Sequence, residues 1–583
     1  MIIQKNTDTK WWKNFIIDGY VQTLEETNNQ QSDHHWWQHA VIYQIYVSSF
    51  KDTTSNGMGD LDGIIAKMDY IASLGVDAIW LSPFFESPLE DMGYDITDMR
   101  EVDPTFGEIE DFKRLLAIAH GFGIKVLVDG VWNHTSDQHP WFVESRKNRD
   151  NPKADWYVWA DAKEDGSPPN NWLSAFMGES AWQWDEIRQQ YYFYNFLPSQ
   201  PELNWHNRDV IAEILRQAEF WLNLGIDGFR LDAVNFYLHD KHLRDNPMRP
   251  DNGIFPDGVD PDNPMVDHMF QYNFCRPENL EVINPIRELC EHYGDAVTLG
   301  EVTLCEDSIV LSGKYVTGDN RLHLVYNSAL LVDEPISATL MRHILTKVQT
   351  HFPDGGQCWM VGNHDYGRLR SRWTGVNAEG QPYPDEFYHA FAALLICLPG
   401  ALCLYQGDEL GLEEAKIPKD IPKDKIEDPF GQALYPMVPG RDGSRTPMPW
   451  SENAPHAGFT DGDEPWLPIP KKHLQQAVDR QNADPKSLLN TWRRLLHWRK
   501  RQPALVRGNF NLLETEEPLL VFIRQWEFQH LLCVFNLSHN PSKYDLSIHG
   551  EYVAETDLGF EFELEEDTLK LQSYGIFFAN LCL

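Results

Sequence analysis

The stretch Gly225-Ile226-Asp227-Gly228-Phe229-Arg230-Leu231-Asp232-Ala233 decides the fold. Its apolar side chains predict a buried strand, yet that strand ends in Arg-x-Asp. Arg230 and Asp232 are two residues apart, so both side chains leave the same face of the strand. A charged pair on a packed face is costly unless each partner is satisfied. Two readings stay open on this stretch alone: a structural ion pair, or a nucleophilic carboxylate whose pKa the adjacent guanidinium lowers.

Two further apolar runs also end in an acid. Residues 296–302 carry Glu301 near their end, and residues 358–365 finish in Asn-His-Asp, the last of which is Asp365. Acids at the C-terminal ends of different strands are typical of the mouth of a (β/α)8 barrel, where active sites form. This placement favours the functional reading of Asp232.

Strand-like and helical patterns alternate along most of the chain, which predicts parallel βα units. The predicted barrel strands are 41–47, 77–81, 123–129, 226–232, 296–302, 322–326, 358–365 and 401–405. Helices are predicted over roughly 63–74, 109–120, 210–224, 280–292, 386–398 and 485–501. From about residue 505, short alternating runs predict antiparallel strands. The predicted fold class is α/β: a (β/α)8 TIM barrel with a domain inserted after strand three and a C-terminal antiparallel β domain.

The domain organisation is predicted from the places where the alternation of strand and helix patterns is interrupted. Segments rich in Pro, Asp, Asn or Gly interrupt the alternation, and long excursions of this kind are usually functional. The predicted units are an N-terminal extension (1–34), the first part of the barrel (35–133), an insertion (134–204), the second part of the barrel (205–504) with long loops 235–277 and 408–470, and a C-terminal β domain (505–583).

Composition narrows the classes of partner. The 583 residues carry a net charge of −39, which disfavours nucleic acids and anionic membranes as partners. The eight cysteines show no metal-ligand spacing, and the N-terminus lacks the apolar core of a signal peptide. No apolar run is long enough to span a bilayer. We therefore expect a cytoplasmic protein, monomeric or dimeric, with reduced cysteines.

The loop of residues 52–60 has oxygen ligands at alternating positions, as calcium loops do. An ordinary polar turn has the same spacing, so both readings stay open. If the loop binds a metal, the ion is a structural Ca²⁺ or Mg²⁺ of modest affinity, because only two carboxylates are present. The side chains of Asp52, Thr54, Asn56 and Asp60 and the main-chain carbonyl of Met58 are the candidate ligands.

GFRLD (228–232), LGE (299–301) and NHD (363–365) resemble the signature motifs of the α-amylase family, glycoside hydrolase family 13. The resemblance covers about residues 35–580. It implies that Asp232 is the nucleophile, Glu301 the acid/base and Asp365 the stabiliser of the transition state. It also implies that Arg230, His134 and His364 contact the bound glucose, that loop 52–60 binds the metal, and that 134–204 is the family's domain B.

The residues themselves suit these roles. Cleavage of a glycosidic bond by a retaining enzyme requires one ionised and one protonated carboxyl group, about 5–5.5 Å apart. Asp232 beside Arg230 suits the ionised group. Glu301 has no basic neighbour in sequence, so burial can keep it protonated. Asp365, next to His364, suits a third group that binds sugar hydroxyls and stabilises positive charge.

Three further motifs resemble the α-glucosidase and oligo-1,6-glucosidase branch, and within it bacterial α-glucosidases that also transfer glucosyl groups. They lie at 91–95, 195–204 and 440–448. By this resemblance Asp91 pairs with Arg441 and closes the far end of the pocket, while Tyr94, Phe176 and Phe196 line it. A closed pocket implies removal of single glucose units from the non-reducing ends of small oligosaccharides.

Ala233, directly after the predicted nucleophile, bears on linkage. In related enzymes Val at this position accompanies α-1,6 cleavage, whereas Ala or Thr accompanies α-1,4 cleavage; a packing role is the alternative. The sequence therefore favours an exo-acting α-glucosidase for maltose-like substrates, with transglucosylation as a second outcome. The alternatives are an α-1,6-glucosidase, a sucrose- or trehalose-converting enzyme of the same family, or, more remotely, a non-catalytic member, since fold alone does not fix function.

Overall fold

The strand that carries Arg230 is one of eight that close a parallel barrel in the computed structural model of the chain. The structure describes residues 35–250, 255, 264–318, 320–331, 336–373, 383–418, 421–436 and 440–582. The predicted N-terminal extension, 1–34, lies outside these ranges, as do parts of loops 235–277 and 408–470. Within the described ranges, no helix is both long and apolar enough to cross a membrane.

All eight predicted barrel strands form. The strands up to residue 405 are β1 (Val41–Ile45), β2 (Ala78–Leu81), β3 (Phe85–Glu86), β4 (Asp98–Val102), β5 (Lys125–Gly130), β6 (Trp159–Ala160), β7 (Trp182–Asp185), β8 (Gln190–Phe193), β9 (Gly228–Leu231), β10 (Val297–Val302), β11 (Leu324–Asn327), β12 (Gln357–Met360) and β13 (Ala401–Tyr405). The barrel order is β1-β13-β12-β11-β10-β9-β5-β2, every pair parallel. The predicted TIM barrel is confirmed.

The helices cover the outside of the barrel and its connections. They are α1 (Leu61–Ala66), α2 (Met68–Leu74), α3 (Ile109–Gly121), α4 (Pro140–Ser145), α5 (Arg208–Leu224), α6 (Asn279–Val282), α7 (Asn284–His292), α8 (Ser308–Val316), α9 (Ala338–His351), α10 (Leu369–Arg372), α11 (Asp385–Cys397), α12 (Pro429–Leu434), α13 (Lys471–Gln475), α14 (Val478–Ala483), α15 (Leu488–Lys500) and α16 (Pro503–Arg507). Two predicted helices are interrupted. The first divides at Lys67, whose backbone is non-helical, and the fourth divides just before Pro285.

Gly228 allows the central strands to meet. Its φ is +147°, and a Cβ at this position would lie 2.1 Å from the carbonyl oxygen of Val297 on β10. Only glycine accepts both the conformation and the contact. The glycine at the start of GFRLD therefore brings β9 against β10, which places Arg230 beside Glu301 on the neighbouring strand.

The excursions and the C-terminal region also have regular structure. Between β5 and α5, strands β6, β8 and β7 form a small antiparallel sheet beside α4, although the sequence showed no clear period there.

The final strands are β14 (Asn509–Leu512), β15 (Leu519–Trp526), β16 (Gln529–Asn536), β17 (Ser542–Asp545), β18 (Tyr552–Ala554), β19 (Glu563–Glu565), β20 (Thr568–Leu571) and β21 (Ile576–Leu581). They form two antiparallel sheets, ordered β14-β15-β16-β21-β18 and β17-β20-β19, as the prediction of a C-terminal β domain required.

Candidate active site

Arg230 is the centre of the predicted site. Its side chain is fully buried, and its Nη1 donates to Asp129 at 2.9 Å and to Asp232 at 2.6 Å. Its Nη2 donates to Glu301. One guanidinium therefore joins carboxylates from three adjacent strand ends, those of β5, β9 and β10. The pair seen in the sequence is part of a larger charged cluster, in which hydrogen bonds offset the cost of burial.

Two members of this cluster had no predicted role. Asp129, at the end of β5, accepts hydrogen bonds from Arg230, from Trp80 Nε1 at 3.1 Å and from the Tyr94 hydroxyl at 3.2 Å. The hydroxyl of Tyr326, near the end of β11, accepts from Arg230 at 2.6 Å and 3.1 Å. Asp129 carried the same signal as the other acids, an acid at the end of an apolar strand. Tyr326 carried none.

Burial raises the pKa of Asp232 to about 7, although Arg230 opposes the shift, and the negative charge of Asp129 adds to it. Arg230 lowers this pKa, as predicted, but less than burial raises it, so the prediction of a net lowered pKa is wrong. Arg230 is shared among three acids, so its charge does not offset the desolvation of one carboxylate. Glu301 behaves similarly: burial raises its pKa to about 7 against the effect of Arg230, and the charge of Asp232 contributes.

Glu301 has no basic neighbour along the chain, but in space it has Arg230. Besides Arg230, the main-chain N–H of Ala233 donates to Glu301 at 3.1 Å. Because Asp232 and Glu301 both titrate near neutral pH and are close in space, the pair holds about one proton at pH 7. One carboxylate and one carboxylic acid, bonded to the same guanidinium, are the two forms that glycoside cleavage requires.

The pKa of Asp365 is shifted in the opposite direction from those of Asp232 and Glu301. Arg441 donates to its Oδ1 at 2.9 Å and Arg445 at 3.0 Å, while His364 lies 3.2 Å from its Oδ2. Burial alone would raise the pKa of Asp365, but His364, Arg441 and Arg445 together hold it well below its usual range. Since burial also lowers the pKa of His364, the permanent charges of the two arginines maintain the ionised state. Asp365 is therefore a fixed negative charge opposite the Asp232–Glu301 pair.

The predicted pocket wall assembles around these acids. Tyr94 stacks on His364 with ring centroids 5.2 Å apart. His134 Nε2 lies 3.0 Å from the Tyr94 carbonyl oxygen, and its ring packs edge-on against Phe196 at 5.3 Å. Burial lowers the pKa of His134 to about 4, so this ring is neutral. Phe176 lies 5.2 Å from Phe196. The aromatic and imidazole residues selected from the motifs thus form one continuous surface.

Asp91 and Arg441 meet across the far end of this surface. Their closest N–O distance is 2.8 Å, although 350 positions separate them in the chain. Arg441 also lies over the ring of Phe176, 4.8 Å from its centroid. Gln200 donates to the second carboxylate oxygen of Asp91 at 2.9 Å. The bridge connects the loop between β3 and β4 to the segment that follows α12, and Arg441 joins it to Asp365.

The three acids differ in how deeply they are buried. The side chain of Asp232 is 11% exposed and that of Glu301 9%, whereas that of Asp365 is 27% exposed. Burial keeps the carboxyl groups of Asp232 and Glu301 in a medium of low polarity, where their pKa shifts arise.

Ala233 combines packing with an unusual backbone conformation. Its φ is +42° and its ψ +43°, the left-handed region that residues with a Cβ seldom occupy. The side chain packs in an apolar cluster with Phe196 and Phe236. The strained turn directs the main-chain N–H at Glu301, so this residue helps to hold the second carboxyl group.

The predicted metal loop is held by its own hydrogen bonds. Asp52 accepts from the main-chain N–H groups of Thr54, Ser55 and Gly57 and from the Thr460 hydroxyl. Burial opposes ionisation of Asp52, but these hydrogen bonds lower its pKa. Asp60 accepts from the main-chain N–H groups of residues 53, 54 and 63 and from one hydroxyl.

Every carboxylate oxygen of this loop therefore accepts at least two hydrogen bonds, which uses both of its lone pairs. Asn56 Oδ1 accepts from the N–H of Met58 at 2.8 Å. Elsewhere too, the described residues include no group of three or more His, Cys, Asp or Glu side chains arranged to hold a metal. The two carboxylates of the loop are thus held by hydrogen bonds within the protein, and the metal site stays a prediction.

Comparison with known proteins connects this geometry to a family. The model of the α-amylase catalytic domain matches residues 44–508, and that of the maltogenic amylase C-terminal domain matches residues 510–578. The chain belongs to the α-amylase family. Both matches together span the barrel and the C-terminal β domain, and the protein is an enzyme of the glycoside hydrolase class.

Relatives within the family resemble the chain over nearly its whole length. A probable alpha-glucosidase of Rhizobium meliloti (strain 1021) is 44% identical over 96% of this chain and 100% of its own. An oligo-1,6-glucosidase of Heyndrickxia coagulans is 37% identical over 88% and 93%. Among solved structures, the alpha-glucosyl transfer enzyme XgtA is 46% identical, covers 94% of this chain and 100% of its own, and superposes with a TM-score of 0.88.

Proposed function

We propose that this enzyme is a retaining, exo-acting α-glucosidase that releases α-glucose from the non-reducing ends of short α-1,4-linked gluco-oligosaccharides such as maltose. The observation that carries the proposal is the Asp91–Arg441 bridge, 2.8 Å long, at the far end of the site. A bridge there leaves room for one terminal sugar beyond the scissile bond. It also supplies a carboxylate and a guanidinium for the hydroxyl groups of that sugar.

The reaction uses the three acids in distinct roles. Asp232 attacks the anomeric carbon and forms a β-glucosyl ester, while Glu301 gives its proton to the departing glycosidic oxygen. Glu301 then removes a proton from an incoming water, which attacks the same carbon and releases Asp232. Asp365, kept ionised by Arg441 and Arg445, stabilises the positive charge that develops on the sugar ring in both steps.

Arg230 supports both partners of the pair. Its Nη1 holds Asp232 and its Nη2 holds Glu301, which keeps the carboxyl groups side by side. Because the two acids titrate near pH 7, a proton can leave Glu301 and return to it within one cycle at neutral pH. Replacing the water by the hydroxyl of a second sugar gives transglucosylation, and the likeness to a protein named as an alpha-glucosyl transfer enzyme supports this second outcome.

The linkage preference rests on Ala233. A small side chain beside Glu301 leaves space next to the leaving group, which we assign to an α-1,4-linked sugar. The relatives carry both alpha-glucosidase and oligo-1,6-glucosidase names, so α-1,6 cleavage is the competing function. Assembly of all three acids in one site disfavours the non-catalytic alternative.

We place the enzyme in the cytoplasm, as a monomer or dimer. All eight cysteines are free thiols, and six of them are buried. Free thiols are usual in a reducing compartment. A small oligosaccharide is the proposed partner, and the net charge of −39 argues against nucleic acids and anionic membranes.

The test is an anomer-resolved product analysis on maltose, isomaltose, sucrose and trehalose. Fast release of α-glucose from maltose, with little from isomaltose, is the expected result. Initial release of β-glucose would overturn the retaining mechanism, and a preference for isomaltose would overturn only the linkage. No turnover of any of the four would overturn the proposed function, leaving a dedicated transferase or a non-catalytic member of the family.

A further inference from the structure

Arg441 is shared among three carboxylates, one of which lies outside the pocket. Its Nη1 donates to Asp365 at 2.9 Å, and its Nη2 to Asp91 at 2.8 Å. Asp428 accepts from Arg441 Nε at 2.9 Å, from its Nη2 at 2.7 Å and, on the second oxygen, from its main-chain N at 2.7 Å. Asp428 therefore holds both the backbone and one edge of the guanidinium, and leaves the other edge for the two acids of the pocket.

Asp428 itself does not reach the pocket. Its side chain has no exposed surface, whereas Asp365 keeps 27% of its side-chain area exposed. Burial opposes its ionisation, but Arg441 and Arg445 lower its pKa. One carboxylate oxygen of Asp428 accepts from both Nε and Nη2 of Arg441, and these two charge-assisted hydrogen bonds restrain the orientation of the guanidinium.

The same carboxylate connects Arg441 to the aromatic wall. Asp428 is the N-cap of α12, where it accepts from the main-chain N–H groups of Phe430 and Gly431 at 3.3 Å and 3.1 Å. The ring of Phe430 packs on Phe176 at 5.5 Å, and Phe176 in turn lies under Arg441. One side chain thus sets the position of a helix at the side of the site and of the guanidinium at its far end.

We propose that Asp428 is a positioning residue for the terminal-sugar pocket, acting through Arg441. It orients the guanidinium so that Asp91 and Asp365 are held together, and it ties the Phe430–Phe176 wall to the same group. This inference rests on the proposed α-glucosidase function and deepens it, because it names a determinant of terminal-glucose recognition that never contacts the sugar.

The competing explanation is that Asp428 only caps α12. Serine distinguishes the two roles, because it is as good an N-cap as aspartate but is too short to hold Arg441. We expect Asp428→Ser to stay folded at the assay temperature but to melt below wild type, because it removes one partner of a buried ion pair. We expect it to lose on the order of 10²-fold in kcat/KM on maltose and on p-nitrophenyl α-glucoside, because small misplacements of a substrate clamp have effects of that size. A variant within twofold of wild type would overturn the proposal.

A double-mutant cycle with Arg441→Gln tests the coupling itself. If Asp428 acts through Arg441, then Asp428→Ser adds less than about threefold to the loss already caused by Arg441→Gln. Full multiplication of the two losses would overturn the proposal, since a cap or a general fold defect would act independently. If the serine variant does not fold, Asp428→Asn takes its place in the same cycle, with the same two criteria.

Asp307 supplies the matched control. It is also an aspartate N-cap with a basic partner: it accepts from the main-chain N–H of Val310 at 3.1 Å and pairs with Lys347 at 2.7 Å. Asp307→Ser is expected to leave kcat/KM within twofold of wild type. Failure of the proposed function is distinguishable, because the wild-type enzyme would then turn over neither substrate. Wild-type turnover together with an unaffected serine variant would overturn the positioning role alone.

Discussion

Arg230 and Arg524 are both fully buried arginines, but their surroundings differ in kind. Arg230 contacts three carboxylates at the mouth of the barrel. Arg524, on β15 of the C-terminal domain, contacts main-chain carbonyl oxygens instead, at Cys397, Leu505, Gly508 and Asn509. Burial opposes the charge in both places. The nearby acids nevertheless raise the pKa of Arg230 well above its usual value, whereas burial and the neighbouring Arg499 lower that of Arg524 to about 9.

The difference teaches what each charge does. Cys397 ends α11 and Leu505 lies in α16, so Arg524 satisfies carbonyl groups at helix ends and fastens the C-terminal sheet to the barrel. Carbonyl groups do not titrate, and that border is chemically inert. Around Arg230 the partners titrate near neutral pH, so the same kind of buried cation produces a site that can move protons. Buried charge alone therefore does not indicate a catalytic site; the titrating partners do.

The largest effect is expected from Asp232→Asn. Loss of the nucleophile is expected to reduce turnover of p-nitrophenyl α-glucoside by at least about 10⁴-fold, the scale seen when a covalent nucleophile is removed. Asp545→Asn, at an exposed acid of the C-terminal domain, is the control and is expected to leave turnover unchanged. Full turnover by Asp232→Asn would show that another group is the nucleophile.

The stability of Asp232→Asn relative to wild type is expected to increase as pH rises. Burial raises the folded-state pKa of Asp232 to about 7, above the ordinary value near 4, so the folded enzyme binds more protons than the unfolded chain between about pH 4 and pH 7. The contribution of Asp232 to the free energy of unfolding of the wild type therefore decreases as pH rises from about 4 to about 7. Above pH 7 that contribution stays unfavourable. Asparagine removes this cost. The gain in melting temperature over wild type should be larger at pH 8 than at pH 4; an equal gain at both would contradict the raised pKa.

Arg524→Met tests the other side of the comparison. Removing the guanidinium leaves buried carbonyl oxygens without donors, so we expect the free energy of unfolding to fall by roughly 3 kcal/mol. The kcat measured well below the melting temperature should not change. Arg524→Lys keeps the charge but not the planar set of donors. Its free energy of unfolding should lie between those of wild type and Arg524→Met. A large fall in kcat with an intact fold would mean that the domain border acts on the site.

The pH profile of kcat/KM is the next test. We expect kcat/KM to fall about tenfold per pH unit on each side of its optimum. Because Asp232 and Glu301 both titrate at about 7, we expect a bell centred near neutral pH: protonation of the nucleophile causes the acid limb, and deprotonation of the acid causes the basic limb. Glu301→Gln should remove the basic limb on an aryl glucoside whose leaving group needs no proton. A basic limb that persists in that variant would contradict the assignment.

Ala233→Val is expected to have a smaller effect, on specificity. The added methyl groups occupy space beside Glu301, which should shift the ratio of isomaltose to maltose kcat/KM by about fivefold, a difference of roughly 1 kcal/mol. A β-branched residue is also strained at φ +42°, so we expect a loss of stability of the same order. Ala233→Gly removes the strain without adding bulk and is the control. An unchanged ratio of isomaltose to maltose kcat/KM would show that Ala233 does not determine linkage and serves only in packing and in the backbone turn.

Sequence reasoning reached the barrel and the three acids because both leave local signals. Short continuous apolar runs predict the buried strands of a parallel barrel, and an acid at a strand end is conspicuous. The breaks at Lys67 and Pro285 were missed because helical periodicity continues across them. The sign of the pKa shift at Asp232 was also missed, since it depends on how many acids share Arg230, and the sequence shows only the neighbour two residues away.

Asp428 illustrates the other limit. It lies in a Pro- and Asp-rich segment without period. Its importance depends on its contact with Arg441 and, through Arg441, on Asp365 and Asp91, the second of which is 337 positions away along the chain. A resemblance could name Asp91 and Arg441, because motifs surround them. Nothing local distinguishes Asp428 from the other acids of the same segment. Positioning residues are set by tertiary contacts, so the structure is needed to find them.

The smallest expected effect concerns the loop that holds Asp52 and Asp60. The sequence predicts a Ca²⁺ or Mg²⁺ site of modest affinity, and the structure shows carboxylate oxygens that are already fully hydrogen-bonded. A cation would have to displace those bonds, so we expect a high Kd and a cation concentration no greater than that Kd. At a concentration equal to Kd, binding adds about 0.4 kcal/mol to the free energy of unfolding.

We therefore expect EDTA to lower the melting temperature by less than about 2 °C and to leave kcat unchanged. Asp60→Ala should also lower the free energy of unfolding, by about 1 kcal/mol, because Asp60 caps α1 through the main-chain N–H of Gly63. That loss should be the same with and without added Ca²⁺. A collapse of stability in EDTA, reversed by Ca²⁺ but not by Mg²⁺, would instead establish a calcium loop whose bound form differs from the hydrogen-bonded one. The carboxylates of this loop would then join those around Arg230 as groups held by a cation.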